Sequence, residues 1–226
     1  EEFPRLATHV PVDSPQALRK DPDVIIPVDV LVDVFDDLTQ RVFYFMCLPY
    51  KANTDSAWGR AVAIETMRRL KAAGGTPNEV YFVFTVQEEV GLRGARPAAF
   101  GIEPDLGIAL DITPASDTPR VEGRTNVSLG KGAAIKVQDV GLVVPPAIKN
   151  LMIETAEAKG IPYQLEVLLG GTTDARAMQT TRAGVPGTAL SIPSRHSHTP
   201  SQVVSAKDVE ATVALLAAFL AKEIAL

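Results

Sequence analysis

The chain has 226 residues, 46% of them apolar, and a formal net charge of −5. This suits one medium domain, or one domain with an appended piece, and it excludes a general binder of nucleic acid or of anionic membranes. Cys47 is the only cysteine, so neither a disulfide framework nor a cysteine-built zinc cluster forms within one chain. No apolar stretch reaches membrane-spanning length and no signal-peptide pattern opens the sequence, so a cytoplasmic protein is expected.

Residues 1–23 read as irregular, because Pro4, Pro11, Pro15 and Pro22 interrupt any helix. Ile25 to Phe35 is β-branched at alternate positions (Val28, Val30, Val32, Val34) and reads as a strand, as does Arg41 to Leu48. This opening lacks the alternation of strands and helices found from Asp55 onward, and residues 1–50 are expected to be a β-rich segment standing mostly outside the main domain, 51–226. Asp55 to Ala73 has helical spacing and stops at Gly74-Gly75. Val80 to Val86 is a strand that runs into Glu88-Glu89, a glycine-containing turn and a helix start. Leu106 to Leu110 is a short strand ending at Asp111. Pro145 to Lys159 is an amphipathic helix ending at Gly160, with Ile148, Leu151, Met152 and Ala156 on one face. Tyr163 to Leu169 is a strand leading into Gly170-Gly171-Thr172-Thr173-Asp174, and Asp174 to Arg182 is a short helix. Thr188 to Ile192 is a strand that leads to His198. Ala206 to Ile224 is a closing helix with Ser205 as its cap. Alternating strands and helices predict an α/β domain with a central mixed sheet and helices on both faces.

In such a sheet, chemistry gathers at the carboxyl ends of the strands. Asp55, Glu88, Glu89, Asp111 and His198 all stand at strand ends or loop starts. Taken singly, each has an ordinary role: Asp55 as a helix cap, Asp111 and Asp174 as turn residues, His198 and His196 as exposed loop histidines. Taken together, several carboxylates with one imidazole suit a divalent cation, because carboxylates crowded without one raise each other's pKa. A nucleophilic serine or cysteine is poorly supported: there is no Gly-x-Ser-x-Gly elbow, and Cys47 lies inside a strand.

Over residues 50–226 the chain resembles the di-metal aminopeptidases of the tetrahedral and glutamyl aminopeptidase family. The segments that carry the resemblance are Asp55-Ser56-Ala57-Trp58-Gly59, Gln87-Glu88-Glu89-Val90-Gly91-Leu92-Arg93-Gly94-Ala95 and Ala109-Leu110-Asp111-Ile112-Thr113 with Asp117-Thr118-Pro119. Further on they are Gly130-Lys131-Gly132, Gly160-Ile161-Pro162, Gly170-Gly171-Thr172-Thr173-Asp174-Ala175 and Ile192-Pro193-Ser194-Arg195-His196-Ser197-His198-Thr199-Pro200. The resemblance implies hydrolysis of N-terminal residues from peptides, with Glu88 as general base. It implies Asp55, Glu89, Asp111 and His198 as ligands of one or two divalent ions, zinc or cobalt, with Asp55 shared. It also implies a substrate contact at Gly171, Thr172 and Asp174.

The sequence departs from the family in three places. Ser56 follows the shared aspartate where Asp or Asn is common, and Gln202 stands where an acid is frequent. The family's upstream His-x-Asp ligand segment is missing; His9, the only upstream histidine, is a poor substitute. The chain therefore reads as an N-terminally incomplete member that keeps part of an inserted dimerisation domain in residues 1–50. The expected ligands of one ion, Asp55, Glu89 and His198, are complete, and the other ion keeps only Asp55 and Asp111. At most one tightly held ion, weak or no activity of this chain, and a weakened homo-oligomer are therefore expected. The alternatives are a non-catalytic binding or assembly relative, and a metal-dependent deacylase or carboxypeptidase.

Overall fold

The computed structural model describes residues 32–33, 41–48, 55–119, 125–199 and 201–225; the side chains of residues 32–33, 41–48 and 55–57 lie outside the description. The strands are β1 (Val32–Asp33), β2 (Arg41–Leu48), β3 (Glu79–Val86), β4 (Leu106–Pro114), β5 (Ala133–Gln138), β6 (Tyr163–Val167), β7 (Gly187–Arg195) and β8 (Val203–Val204). The helices are α1 (Asp55–Ala72), α2 (Ala95–Ile102), α3 (Pro146–Lys159), α4 (Asp174–Gln179) and α5 (Ala206–Leu220). The strands form one eight-stranded sheet in the order β1-β3-β2-β4-β7-β5-β6, with β8 on β7. β3, β2, β4 and β7 run parallel, and so do β5 and β6; β5 meets β7 antiparallel, and β1 and β8 are antiparallel edges. The mixed sheet with helices on both faces is as expected.

One expectation is corrected. Arg41–Leu48 does not stand outside the domain: it is a central strand, paired with β3 from Val86 back to Glu79 and with β4 from Leu106 to Leu110. Its run of Val, Phe, Tyr, Phe, Met and Leu, with no regular polar alternation, is the pattern of a strand buried on both faces of a parallel sheet. The proline-rich sequence before it hid that signal. The remaining residues of 1–50, His9 among them, lie outside the described residues except for Val32–Asp33. Other ends also differ: β6 stops at Val167 instead of Leu169, and α4 at Gln179 instead of Arg182. β4 continues three residues past Asp111 and β7 runs through Pro193, because each keeps the other paired from Gly107↔Gly187 to Pro114↔Ser194. β5 carried no sequence expectation of its own.

Side chains alternate between the two faces of each strand. Val80, Phe82, Ile108, Leu110, Ile135, Leu190 and Ile192 belong to the face covered by α1, α3 and α5. There they join Val62, Leu70, Ile148, Leu216 and Phe219 in the core. The opposite face is covered by α2 and α4. α3 ends at Gly160, whose left-handed backbone (φ 63°) lets its N–H reach the carbonyls of Ala156 and Glu157. Ser205 accepts a bond from Lys207 N at 3.2 Å and caps α5 as expected. At the other end of α5, the buried Asn78 amide donates to the carbonyls of Leu220 and Lys222 at 2.9 and 2.8 Å, pairing acceptors that a helix end leaves free.

Candidate metal centre

The segment after β3 is a tight turn closed on its own strand. Gln87 sits in the left-handed region (φ 59°) and breaks the strand's direction, and Gly91 follows at φ 118°. The Glu88 carbonyl accepts from Gly91 N at 3.0 Å and Leu92 N at 2.9 Å, and the Val86 carbonyl accepts from Gly94 N at 2.9 Å. A Cβ at Gly94 would lie 2.5 Å from Val86 N, so only glycine lets the chain return this closely. Gly91 and Gly94 thus allow a turn that leaves Glu88 half-buried and Glu89 exposed, at the mouth of one cleft.

The cleft has a volume of about 670 Å³, and its wall includes Glu88, Glu89, Asp111, Gly171, Thr172 and His198. These six residues come from four separate segments. Asp111 is delivered by β4, and its Oδ1 accepts from Ile112 N at 2.8 Å. Gly171 (φ 103°) and Thr172 are held by the turn after β5: the Gly171 carbonyl accepts from Val140 N at 3.3 Å, and Thr172 Oγ1 donates to Asp139 Oδ1 at 2.9 Å. His198 follows β7 with φ 61°, and its Nδ1 lies 3.3 Å from Glu89 Oε1. A bidentate pair between Arg195 and Asp117, at 2.9 Å on each arm, anchors the strand end that carries it. His196 is exposed and is not among the lining residues.

Asp174 stands behind the wall. It is 3% exposed, opens α4, and accepts from Thr85 Oγ1 at 2.6 Å through Oδ2. Its Oδ1 is buried without a partner among the described residues. Thr85 was not anticipated, although it faces the same side of the sheet as Asp111; a threonine one residue from the end of an apolar strand is the signal that marks it.

The carboxyls act on one another. Burial pushes Glu88 up to about 9, helped by the charges of Asp111, Asp174 and Glu89. Asp111 rises to about 7, chiefly by burial; the Ile112 N–H opposes this, Asp174 and Glu89 add to it, and Lys136 opposes it. Asp174 rises to about 6 by burial, against the Thr85 hydroxyl. Such a cluster holds protons in the absence of positive charge and would release them to a cation. Among the described residues no three His, Cys, Asp or Glu side chains are close enough to enclose an ion. The Asp55 side chain, expected to be shared between ions, lies outside the described residues. The donor set fits a divalent ion in chemistry: crowded carboxyls around one cleft, with one imidazole 3.3 Å from Glu89.

The model of the M42 glutamyl aminopeptidase family matches residues 52–215, and the chain belongs to that family of peptidases. It is 42% identical over 158 residues to the lysyl aminopeptidase of Pyrococcus furiosus, covering 70% of this chain and 44% of that protein. It overlays an aminopeptidase from Desulfurococcus kamchatkensis with a TM-score of 0.69 and 40% identity, covering 74% of this chain and 47% of the other. For the Pyrococcus horikoshii TET1 peptidase, which can assemble into a tetrahedron or a large octahedral shell, the TM-score is 0.66 and the identity 33%, over 75% and 48% of the two chains. The chain thus spans a little under half the length of these relatives.

The matching segments do not all serve the cleft. Gly130 N and Gly132 N donate to the buried Asp208 carboxylate at 2.6 and 2.7 Å. A Cβ on Gly132 would meet the Pro162 carbonyl oxygen at 2.1 Å. Two motifs of the resemblance, Gly130-Lys131-Gly132 and Gly160-Ile161-Pro162, are therefore folded against each other and the start of α5.

Proposed function

We propose that the protein is a metal-dependent aminopeptidase that removes N-terminal residues from peptides. The observation that carries this reading is the meeting of Glu88, Glu89, Asp111 and His198 in one cleft, with Glu88 held at a raised pKa by burial and by the other carboxylates. Asp55, Glu89 and His198 would hold one divalent ion, zinc or cobalt, and Asp55 with Asp111 a second, weaker one. When bound, such ions supply Lewis-acid chemistry at the scissile carbonyl and lower the pKa of the attacking water. Glu88 takes the proton of that water and returns it to the leaving amine. Gly171 and Thr172 line the wall along which the peptide backbone lies, and Asp174 reaches the site from behind through its charge on Glu88 and Asp111. The reading also takes the protein as cytoplasmic and as a homo-oligomer; the assembly of the P. horikoshii TET1 peptidase into a tetrahedron or an octahedral shell supports the second.

The test is incubation of the full chain with Co²⁺ or Zn²⁺ and short peptides whose amino end is free or acetylated, read by mass spectrometry. Stepwise loss of N-terminal residues from the free peptides alone is expected. Hydrolysis of acetylated peptides, release from the carboxyl end, or no hydrolysis by the ion-saturated chain would overturn the proposal.

A further inference from the structure

The face of the sheet that carries Asp111 holds a second charged group, which the reaction above does not use. Lys136 on β5 and Glu166 on β6 are directly opposite in register, both side chains are 0% exposed, and the Lys136 ammonium donates to Glu166 Oε1. The same oxygen accepts from Thr113 Oγ1 at 2.5 Å. In sheet order β7 and β5 lie between β4 and β6, so this side-chain bond links two strands that are not neighbours. Thr113 is two residues beyond Asp111 and on its face. Ser191 is opposite Asp111 on one side and Ala134 on the other, and thereby shares that face with Lys136. Thr113, Ser191, Lys136 and Glu166 form one buried polar layer under the cleft, and the Lys136 charge is felt at Asp111.

Stability does not explain this layer. A buried ion pair is commonly no better than the apolar residues that could replace it, and one left incompletely bonded is worse. Glu166 Oε2 and Ser191 Oγ are buried with no partner among the described residues. Two oxygens unpaired beside a buried charge pair are a cost that an apolar layer would avoid. What the layer does is fix geometry. Glu166, pinned by Lys136, holds the hydroxyl of Thr113, and through it the last residues of β4.

We propose that Lys136 and Glu166 are positioning residues for the ion site that contains Asp111: the pair fixes the end of β4 through Thr113, and so the direction in which the Asp111 carboxylate enters the cleft. The inference rests on the reading that this cleft takes up divalent ions. It separates the two ion positions. The one formed by Glu89 and His198 stands on the turn after β3 and the loop after β7, beyond Ser194, the last residue of β7 paired with β4; the one at Asp111 is two residues from Thr113 and depends on it.

The experiment is calorimetric titration of the full chain with Co²⁺ alone, from micromolar to millimolar, with thermal unfolding of the ion-free chain as control. The variants are the apolar double replacement Lys136→Met/Glu166→Met, the near-isosteric Thr113→Val, and Thr113→Ser, which keeps the hydroxyl. Loss of partners behind a metal ligand lowers affinity about 10–100-fold. The weaker Co²⁺ event is expected to fall by that factor in the double variant and by less in Thr113→Val, and to return towards wild type in Thr113→Ser. The tighter event should stay unchanged and the double variant should unfold no earlier than wild type. Unchanged weak binding in the double variant, equal loss at both events, or a single event indifferent to all three variants overturns the inference while leaving the ion site standing. A wild-type chain that takes up no Co²⁺ overturns both.

Discussion

The two faces of the central sheet are built from the same strands for different ends. On one face Phe82, Ile108, Leu110 and Leu190 pack against α1, α3 and α5, and every one of them is within 3% of full burial. The polar contacts there secure helices: the buried Asn78 amide holds the end of α5, and a bidentate pair of Arg69 with Glu210 at 2.9 and 2.8 Å ties α1 to α5 at the surface. On the other face the small residues Ala109 and Ala189 let α4 approach the strands; the strands then continue into Thr85, Asp111, Thr113, Ser191 and Lys136. Three carboxyls on or against that face are held at pKa values of about 9, 7 and 6. The left-handed Gln87 and His198 flank it as well. One face lowers the free energy of the fold. The other keeps groups in states they would not choose in water, as a reactive site requires.

The comparison breaks first at Glu88. Glu88→Gln is expected to lower peptide hydrolysis by about 10²–10⁴-fold, the usual worth of a general base, while ion uptake stays near wild type. The same variant should make the ion-free chain no less stable at neutral pH, because folding no longer has to bind a proton at Glu88. Loss of stoichiometric ion in this variant would show that Glu88 is a ligand and that its role and that of Glu89 are exchanged.

An apolar-face substitution should do the reverse. Leu216 on α5 is 0% exposed, and Leu216→Ala is expected to cost about 2–5 kcal/mol in urea unfolding, with turnover per folded molecule unchanged. A turnover defect in the folded variant would mean that the two faces are coupled.

A pH series sharpens the contrast. Glu88 has a folded pKa of about 9 against an ordinary 4.5, so between those values the folded, ion-free chain binds more protons than the unfolded one. The stability that this contributes is full below 4.5 and is lost as pH rises through about 6, 7 and 9, the folded values of Asp174, Asp111 and Glu88. Urea midpoints in a chelator should therefore fall across that window. Saturating Co²⁺ should flatten the fall and release protons on binding, visible as a dependence of the binding heat on buffer. Midpoints that rise with pH in the chelator would remove the claim.

The smallest effect belongs to a helix cap on the apolar side. Ser205→Ala deletes the bond to Lys207 N and should cost about 0.5–2 kcal/mol, with no change in hydrolysis per folded molecule. A larger loss, or altered turnover, would place the start of α5 in the functional unit, through Asp208 and the Gly130 loop that it holds.

The sequence alone determined the elements with strong local signals. α1, β3, α3 and α5 begin or end within a few residues of expectation, since helical spacing, β-branched runs, Gly160 and Ser205 are local physics. It also named Glu88, Glu89, Asp111, Gly171, Thr172 and His198, which the fold brings to one cleft, while Asp174 stands behind the wall and the Asp55 side chain lies outside the description. It did not place β2: whether an apolar run is a central strand or part of an appended piece depends on which strands pair with it, and that information is distributed over β3 and β4. Nor did it give the extents of β4 and β7, which each owe their last residues to the other. The polar layer of Thr113, Lys136 and Glu166 was the least legible part. Lys136 reads as one charge in a strand until the fold sets it opposite Glu166 and brings Thr113 to the same carboxylate, and only those long-range contacts turn three ordinary residues into a buried network.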